Sequence, residues 1–445
     1  MDNELEQILA LVDNYVENKQ AAKKWTPGKD WVYYAGPHFD SSEYVSAIKS
    51  LLKGWLVLGD DGTRFEKKFS KFFGKNIGLL TNSGSSANLL MMSALTSKNL
   101  YNFPKGTKVL TPIAGFPTTI NPIFQVGFKP VFVDVELPSL NLDLDQAEEA
   151  LKNDKDIKAI TFAHVLGNPP NMDRVMELVK KYDLILLEDC CDALAGTYDG
   201  KYLGSFGEMA SCSFYPAHHI TMGEGGFVAI NNKEQEQVVR SFRDWGRGCY
   251  CVGEKASLSK CGSCGKRFSC WIESLPETVF DHKYVYEEIG YNLKPIELQA
   301  SIGLVQIKKI EEIKKLRNNN FDSLLKIFKK YEEYFFLPEA TPKSEPNWFA
   351  FPLTIRDKAP FTRDQICEFL ELNKVQTRTY FGGNVMLQPA YSHLADAKQL
   401  VERYPVATKV TQDTFFLGTS PVITKEKIDY IENVVDTFIK EIKDL

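Results

Sequence analysis

Residues 184–192 read Leu-Ile-Leu-Leu-Glu-Asp-Cys-Cys-Asp, four aliphatic side chains running directly into acids and thiols. A strand with one wet face alternates polar and apolar residues, whereas an unbroken aliphatic run means that both faces are covered, as in a parallel strand roofed by helices. Working outward, similar short apolar runs lie at 76–82, 107–112, 129–135 and 156–167, with helical stretches such as 85–97 between them. Strands alternating with helices build a mostly parallel sheet, so the expected fold class is α/β. An amphipathic helix packed on the body is expected over 4–18, stopped by Pro27 and Gly28. After Pro295 a long helical pattern leads through a lysine-rich stretch, whose charges are read as its wet face. A strand at 349–355, a helix from near Phe361 and a last helix from Lys425 suggest a smaller α+β domain. The expected organisation is an N-terminal helix and extended arm (1–60), a large domain (61–325) with a cysteine-rich insertion (247–275), and a small C-terminal domain (326–445).

The chain has 445 residues, 44% hydrophobic and 25% charged, enough for a large core and more than one ordinary domain. Its 53 Lys and Arg against 58 Asp and Glu leave a net charge of -5, which argues against wholesale neutralisation of nucleic-acid phosphates. No run is long and apolar enough to span a membrane, and the first residues lack a basic segment before an apolar core; the expected location is the cytoplasm. All nine cysteines except Cys367 fall between Cys190 and Cys270. In a reducing compartment such crowding points to buried thiols, metal ligands or redox chemistry rather than disulfides.

Ligands of doubly wound sheets gather where strands end and helices begin. Four such places stand out. Thr81-Asn82-Ser83-Gly84-Ser85-Ser86 opens a helix and suits either a phosphate or an ordinary N-cap; it is neither a P-loop nor a GxGxxG turn. Asp189 and Asp192 follow the apolar strand, where a carboxylate needs a cation, a metal or a protonated heterocycle unless it merely caps a helix. Ser213 lies in Ser-Phe-Tyr-Pro-Ala-His218-His219, ahead of a glycine-rich turn; neighbouring side chains diverge, so one imidazole is expected to face a site. Phe116 offers a flat lid for a ring, or simply a core residue.

These motifs, in this order, resemble the DegT/DnrJ/EryC1/StrS family of sugar aminotransferases and dehydrases, from about Trp25 to the C-terminus. The resemblance implies the aspartate aminotransferase-like fold (PLP-dependent transferase fold type I) and pyridoxal or pyridoxamine phosphate as cofactor. It further implies that Asp189 binds the pyridine nitrogen, Asp192 lies beside the ring, Gly84, Ser85 and Ser213 hold the phosphate, and Phe116 stacks on the ring. Asn292 would reach the phosphate of a neighbouring subunit, so a homodimer is implied. Where the family places its cofactor-binding lysine this chain has His218, and no lysine lies between Lys201 and Lys233. An imidazole cannot replace that amine in amino transfer, but it can accept a proton near neutral pH. The stretches Ser-Phe-Arg-Asp-Trp-Gly-Arg-Gly-Cys-Tyr-Cys and Cys-Gly-Lys-Arg-Phe look like those of iron–sulfur 3-dehydrases that act on CDP-4-keto-6-deoxyglucose in lipopolysaccharide synthesis.

That likeness implies C3 dehydration of a CDP-linked sugar from pyridoxamine phosphate, with His218 as the base. Two single-electron reductions would follow through a [2Fe–2S] cluster, fed by an NAD(P)H-dependent flavin and iron–sulfur reductase. It assigns the cluster to Cys191, Cys249, Cys251 and Cys264, with Cys261 competing for the last place because the loop before it is longer than the family's. Cys190 is expected to turn into the core, and Cys212, Cys270 and Cys367 to be buried thiols. A closed zinc site from Cys249, Cys251, Cys261 and Cys264 is the alternative that spacing alone leaves open, and a nucleotide-sugar aminotransferase is the rival activity.

Overall fold

The computed structural model describes residues 3–249 and 265–444. Five strands, β1 (Ile77–Thr81), β2 (Lys108–Pro112), β3 (Lys129–Val133), β4 (Ile157–Ala163) and β5 (Ile185–Asp189), fall on the apolar runs read from the sequence. A short ribbon, β6 (Thr197–Tyr198) and β7 (Lys201–Tyr202), precedes β8 (Met209–Ser213) and β9 (Gly226–Ile230). The main sheet has seven strands in the order β1-β9-β8-β5-β4-β2-β3. Only β9 runs against its neighbours, pairing antiparallel with both β1 and β8. One face of the sheet packs a cluster of stacked rings, Phe65, Phe69, Phe73, Phe214 and Phe227, and the other packs Leu90, Met91, Val109, Leu187 and Val228.

A surface hairpin, β10 (Phe268–Ser269) and β11 (Phe280–Asp281), follows the undescribed stretch. The second body of the chain holds β12 (Phe335–Phe336), β13 (Ser344–Glu345), β14 (Ala350–Ile355), β15 (Arg378–Thr379) and β16 (Thr414–Gly418). Four of these form a sheet in the order β12-β14-β16-β15, while β13 joins β6 and β7. Helices Arg363–Leu372 and Lys425–Lys443 contribute Ile366, Leu370, Val435 and Phe438 to its core. The architecture is α/β with a large mixed sheet and a smaller C-terminal α+β unit, the aminotransferase-like arrangement.

Three expectations need correction. The first helix, Asn3–Ala21, ends well before Pro27 and buries only Val16, while Ile8, Leu11 and Tyr15 are exposed. Leu5, Leu9 and Val12 are half-buried beside Val16 where the helix packs against Ser41–Leu52, as expected, so the exposed residues are the outer edge of the apolar stripe. The long pattern after Pro295 is broken: Glu297–Gln306 and Ile310–Lys329 are separated by a 3₁₀ turn at Ile307–Lys309. Cys270 is exposed rather than buried, and Cys367 is only partly covered.

Candidate active site

The carboxyl ends of β1, β2, β4, β5 and β8 face a cleft of about 510 Å³, closed on its far side by Phe349, Tyr380, Phe381 and Phe416. That size suits a ring-bearing cofactor with part of a substrate. Asp189, the last residue of β5, is 4% exposed and lines the cleft. Its Oδ2 accepts from Asn88 Nδ2 at 2.7 Å and Thr119 Oγ1 at 2.7 Å, and its Oδ1 accepts from the Cys191 N–H at 3.1 Å. Ser211 Oγ donates to Asn88 Oδ1 at 2.6 Å and fixes that amide. The carboxylate is thus aimed by side chains from three separate elements.

The residue before it takes the opposite course. Glu188 accepts from the N–H groups of Gly204, Phe206 and Gly207 at 2.9, 2.9 and 2.6 Å and pairs with His164 Nε2 at 3.0 Å. Burial opposes its charge, yet the histidine and the backbone donors hold its pKa below the ordinary carboxylate value. His164, Glu188 and Cys190 bring their ligand atoms within 4.8 Å of one another. The glutamate oxygens there are already engaged by four donors, which ties the carboxylate into the core, while His164 Nδ1 has no hydrogen-bond partner among the described residues.

At the opposite end of the cleft, Ser83 caps the helix Gly84–Ala94, its Oγ accepting from the Ser86 N–H at 3.1 Å. The first N–H groups of a helix have no intrahelical partner, and with the helix dipole they favour an anion. A Cβ at Gly84 would stand 2.5 Å from Ser213 Cβ and 3.0 Å from Cys191 Sγ, so glycine is what lets this helix end press against β8. Gly84, Ser85, Ser213 and Phe116 all line the cleft, with the Phe116 ring edge-on to Phe381 at 5.6 Å between centroids.

His218 also lines the cleft, and among the described residues no lysine lines it. Its Nδ1 lies 3.5 Å from Asp192 Oδ1, an ion-pair distance that does not complete a hydrogen bond. Burial raises the pKa of Asp192, with His218 opposing the shift. His219 turns away, its Nε2 contacting the Asn347 carbonyl at 2.9 Å, and burial drives its pKa well down. Thr111 Oγ1, at the end of β2, is a second buried polar atom of the cleft wall without a partner. Two orphaned polar atoms, an anion-favouring helix end and a fixed carboxylate fit a phosphorylated pyridine cofactor.

Cys191 is partly exposed on the cleft wall, and burial followed by the Asp189 charge pushes its thiol pKa well up. Cys190 and Cys212 are buried. Cys249 lies just past the pairing of Arg247 with Tyr286, near the Arg267–Asp281 ion pair. Cys251, Cys261 and Cys264 fall outside the described residues. Asn292 is exposed, bonded to Lys294 Nζ at 2.8 Å, and is not part of this chain's cleft wall.

Residues 38–436 match the model of the DegT/DnrJ/EryC1/StrS aminotransferase family. The chain belongs to that family. Among its relatives, lipopolysaccharide biosynthesis protein RfbH of Salmonella typhimurium is 41% identical over 98% of both chains. The dTDP-4-dehydro-2,6-dideoxy-D-glucose 3-dehydratase of Saccharopolyspora spinosa is 39% identical over 98% of this chain and 92% of its own. A solved structure of the E. coli GDP-4-keto-6-deoxy-D-mannose-3-dehydratase, with bound hydrated PLP, superposes with a TM-score of 0.77 at 26% identity, covering 91% of this chain and 99% of that one. In this DegT/DnrJ/EryC1/StrS member the sequence placed Asn88 at the end of the 81–88 turn but gave it no role at Asp189, and Thr119 and Arg317 were passed over. Asn88 lies one helical turn below Gly84, which is a legible spacing. Arg317 falls on the buried stripe Ile310, Ile313, Arg317, Phe321, Leu324, where a lone arginine among apolar positions was the available signal.

Proposed function

We propose that the protein is a pyridoxamine phosphate-dependent 3-dehydratase of a nucleotide-linked 4-keto-6-deoxyhexose. The observation that carries this reading is His218 in a cleft whose wall, among the described residues, holds no lysine. An imidazole stands where amino transfer would need a Schiff-base amine. Two relatives at 41% and 39% identity, one of them a sugar 3-dehydratase by name, support it.

Bound pyridoxamine phosphate supplies an amine for the C4 ketone and a ring that accepts electron density. Asp189, held by Asn88 and Thr119, offers its carboxylate to the protonated ring nitrogen. Gly84, Ser85 and Ser213 would hold the phosphate, and Phe116 would cover the ring. Asp192 faces His218 Nδ1, which would leave Nε2 to take the proton from the C4′ carbon of the cofactor and to return it to the departing C3 hydroxyl.

The finer reading places a [2Fe–2S] cluster on Cys191, Cys249, Cys251 and Cys264. Thiolates are the donor set such a cluster takes, and it would supply the two single-electron reductions on the way to a 3,6-dideoxyhexose. An NAD(P)H-dependent flavin and iron–sulfur reductase would be the donor, and the nucleotide would be CDP. We also read the chain as a cytoplasmic homodimer in which Asn292 serves the neighbouring site. The exposed Leu11 and Tyr15, with Leu51 and Leu52 at the end of the adjoining helix Ser41–Leu52 and Trp55, Leu56 and Val57 just beyond it, support an unpaired apolar face. No helix among the described residues is long and apolar enough to cross a membrane.

The test is incubation of anaerobically purified protein with CDP-4-keto-6-deoxyglucose and pyridoxamine phosphate, with and without a reductase. Loss of the C3 hydroxyl is expected, and His218→Asn should bind the cofactor while slowing that step about 1,000-fold. A 4-amino sugar formed from glutamate would overturn the dehydratase reading. Colourless protein carrying one zinc would overturn the cluster.

A further inference from the structure

A guanidinium on an apolar stripe requires an explanation. Arg317 is 1% exposed, and among the described residues no carboxylate forms an ion pair with it. Burial lowers its pKa to about 10, so it is still a cation at neutral pH. Taking such a charge out of water costs several kcal/mol unless hydrogen bonds replace the lost solvent. Here the replacement is specific. Nη2 donates to the carbonyls of Ala217 and His218 at 3.1 and 3.0 Å, and Nη1 donates to the Phe349 carbonyl at 3.0 Å and to Thr419 Oγ1 at 3.4 Å.

The first pair of acceptors belongs to the turn that carries the base. The second pair lies at the edges of β14 and β16 in the small sheet, and the Phe349 ring stands 5.3 Å from the His218 imidazole between centroids. One planar, five-donor group thus fastens the histidine turn to the far wall of the cleft. A lysine could carry the same charge, but its single nitrogen could not span both pairs.

We propose that Arg317 is the positioning residue of His218, clamping the 217–218 turn to the small sheet so that the imidazole stays opposite Asp192 and over the reacting carbon. The proposal rests on the reading of His218 as the base. A misplacement of about 1 Å at a catalytic group can cost about 100-fold in rate. Filling a core site with an arginine for packing alone would make no such demand on the turn.

The test compares Arg317→Lys and Arg317→Met in the full chain loaded with pyridoxamine phosphate. For Arg317→Met we expect kcat for C3–O cleavage to fall about 100-fold, with sugar KM and cofactor affinity within about threefold of the parent, and Arg317→Lys to recover about tenfold of the loss. The ring carbon and nitrogen NMR signals of His218, assigned by their absence in His218→Asn, should move in the cofactor-free protein. If Arg317→Met does not fold, the same two readouts are taken from Arg317→Lys. Parental kcat and unshifted His218 signals in a folded variant would overturn the clamp. Undiminished cleavage by His218→Asn would instead overturn the base reading, a result independent of the NMR shifts.

Discussion

Glu188 and Asp189 are consecutive residues at the end of one strand, and their surroundings differ completely. Glu188 points into a closed region in which His164 and three backbone N–H groups take up its oxygens. Asp189 points into the cleft, where Asn88 and Thr119 fix it from behind and leave it part of a ligand-facing wall. Alternation along the strand separates them, so one carboxylate serves the fold and the other the site. Strand-end acids therefore have to be sorted by which face they occupy before either is given a chemical role.

The comparison can be broken from either side. Asp189→Asn removes the charge proposed to face the cofactor ring and should lower turnover about 1,000-fold with little change in urea unfolding, measured in parallel on one preparation. Glu188→Gln should do the reverse, lowering stability by about 3 kcal/mol because a buried pair loses one charge, while the folded fraction keeps its kcat. The pH dependence follows from the sign of the shift. Glu188 is held below its unfolded value, so its contribution is complete above about pH 4.3 and disappears as pH falls through the folded pKa. The acid-side slope of stability should flatten in Glu188→Gln, and an unchanged slope would mean that the pair contributes nothing. The smallest effect is expected at the phosphate end. Gly84→Ala must push Ser213 or Cys191 aside, and should weaken pyridoxamine phosphate about tenfold in an absorbance titration while lowering the unfolding free energy by about 1 kcal/mol.

Much of this arrangement was legible in the residues. The aliphatic runs gave β1 to β5 because they are short, are bounded by turn residues and alternate with helical stretches, which together favour strands. Asp189, Gly84, Ser213 and His218 were found because they sit at strand ends beside unusual small or charged residues. What stayed hidden depends on distance in the chain. Asn88 reaches Ser211 across 123 positions, and Arg317 reaches His218 across 99, and no local pattern encodes either meeting. β16 escaped notice because Thr-Phe-Phe-Leu-Gly is as apolar as a short helix segment, and only pairing with β14 and β15 fixes its state. The first helix was legible from its amphipathic spacing, and it packs through Leu5, Leu9, Val12 and Val16 against Ser41–Leu52.

The single reversed strand, β9, has a kinetic consequence. Ser213 at the end of β8 pairs with Gly226 at the start of β9, so residues 214–225 close as a hairpin loop with His218 inside it. Closing that loop costs less chain entropy than joining Asn88 to Asp189, which must bridge 101 positions. During folding the imidazole turn should thus be set by neighbouring chain early, and the acid it works beside should be delivered to it later by the assembly of the whole sheet.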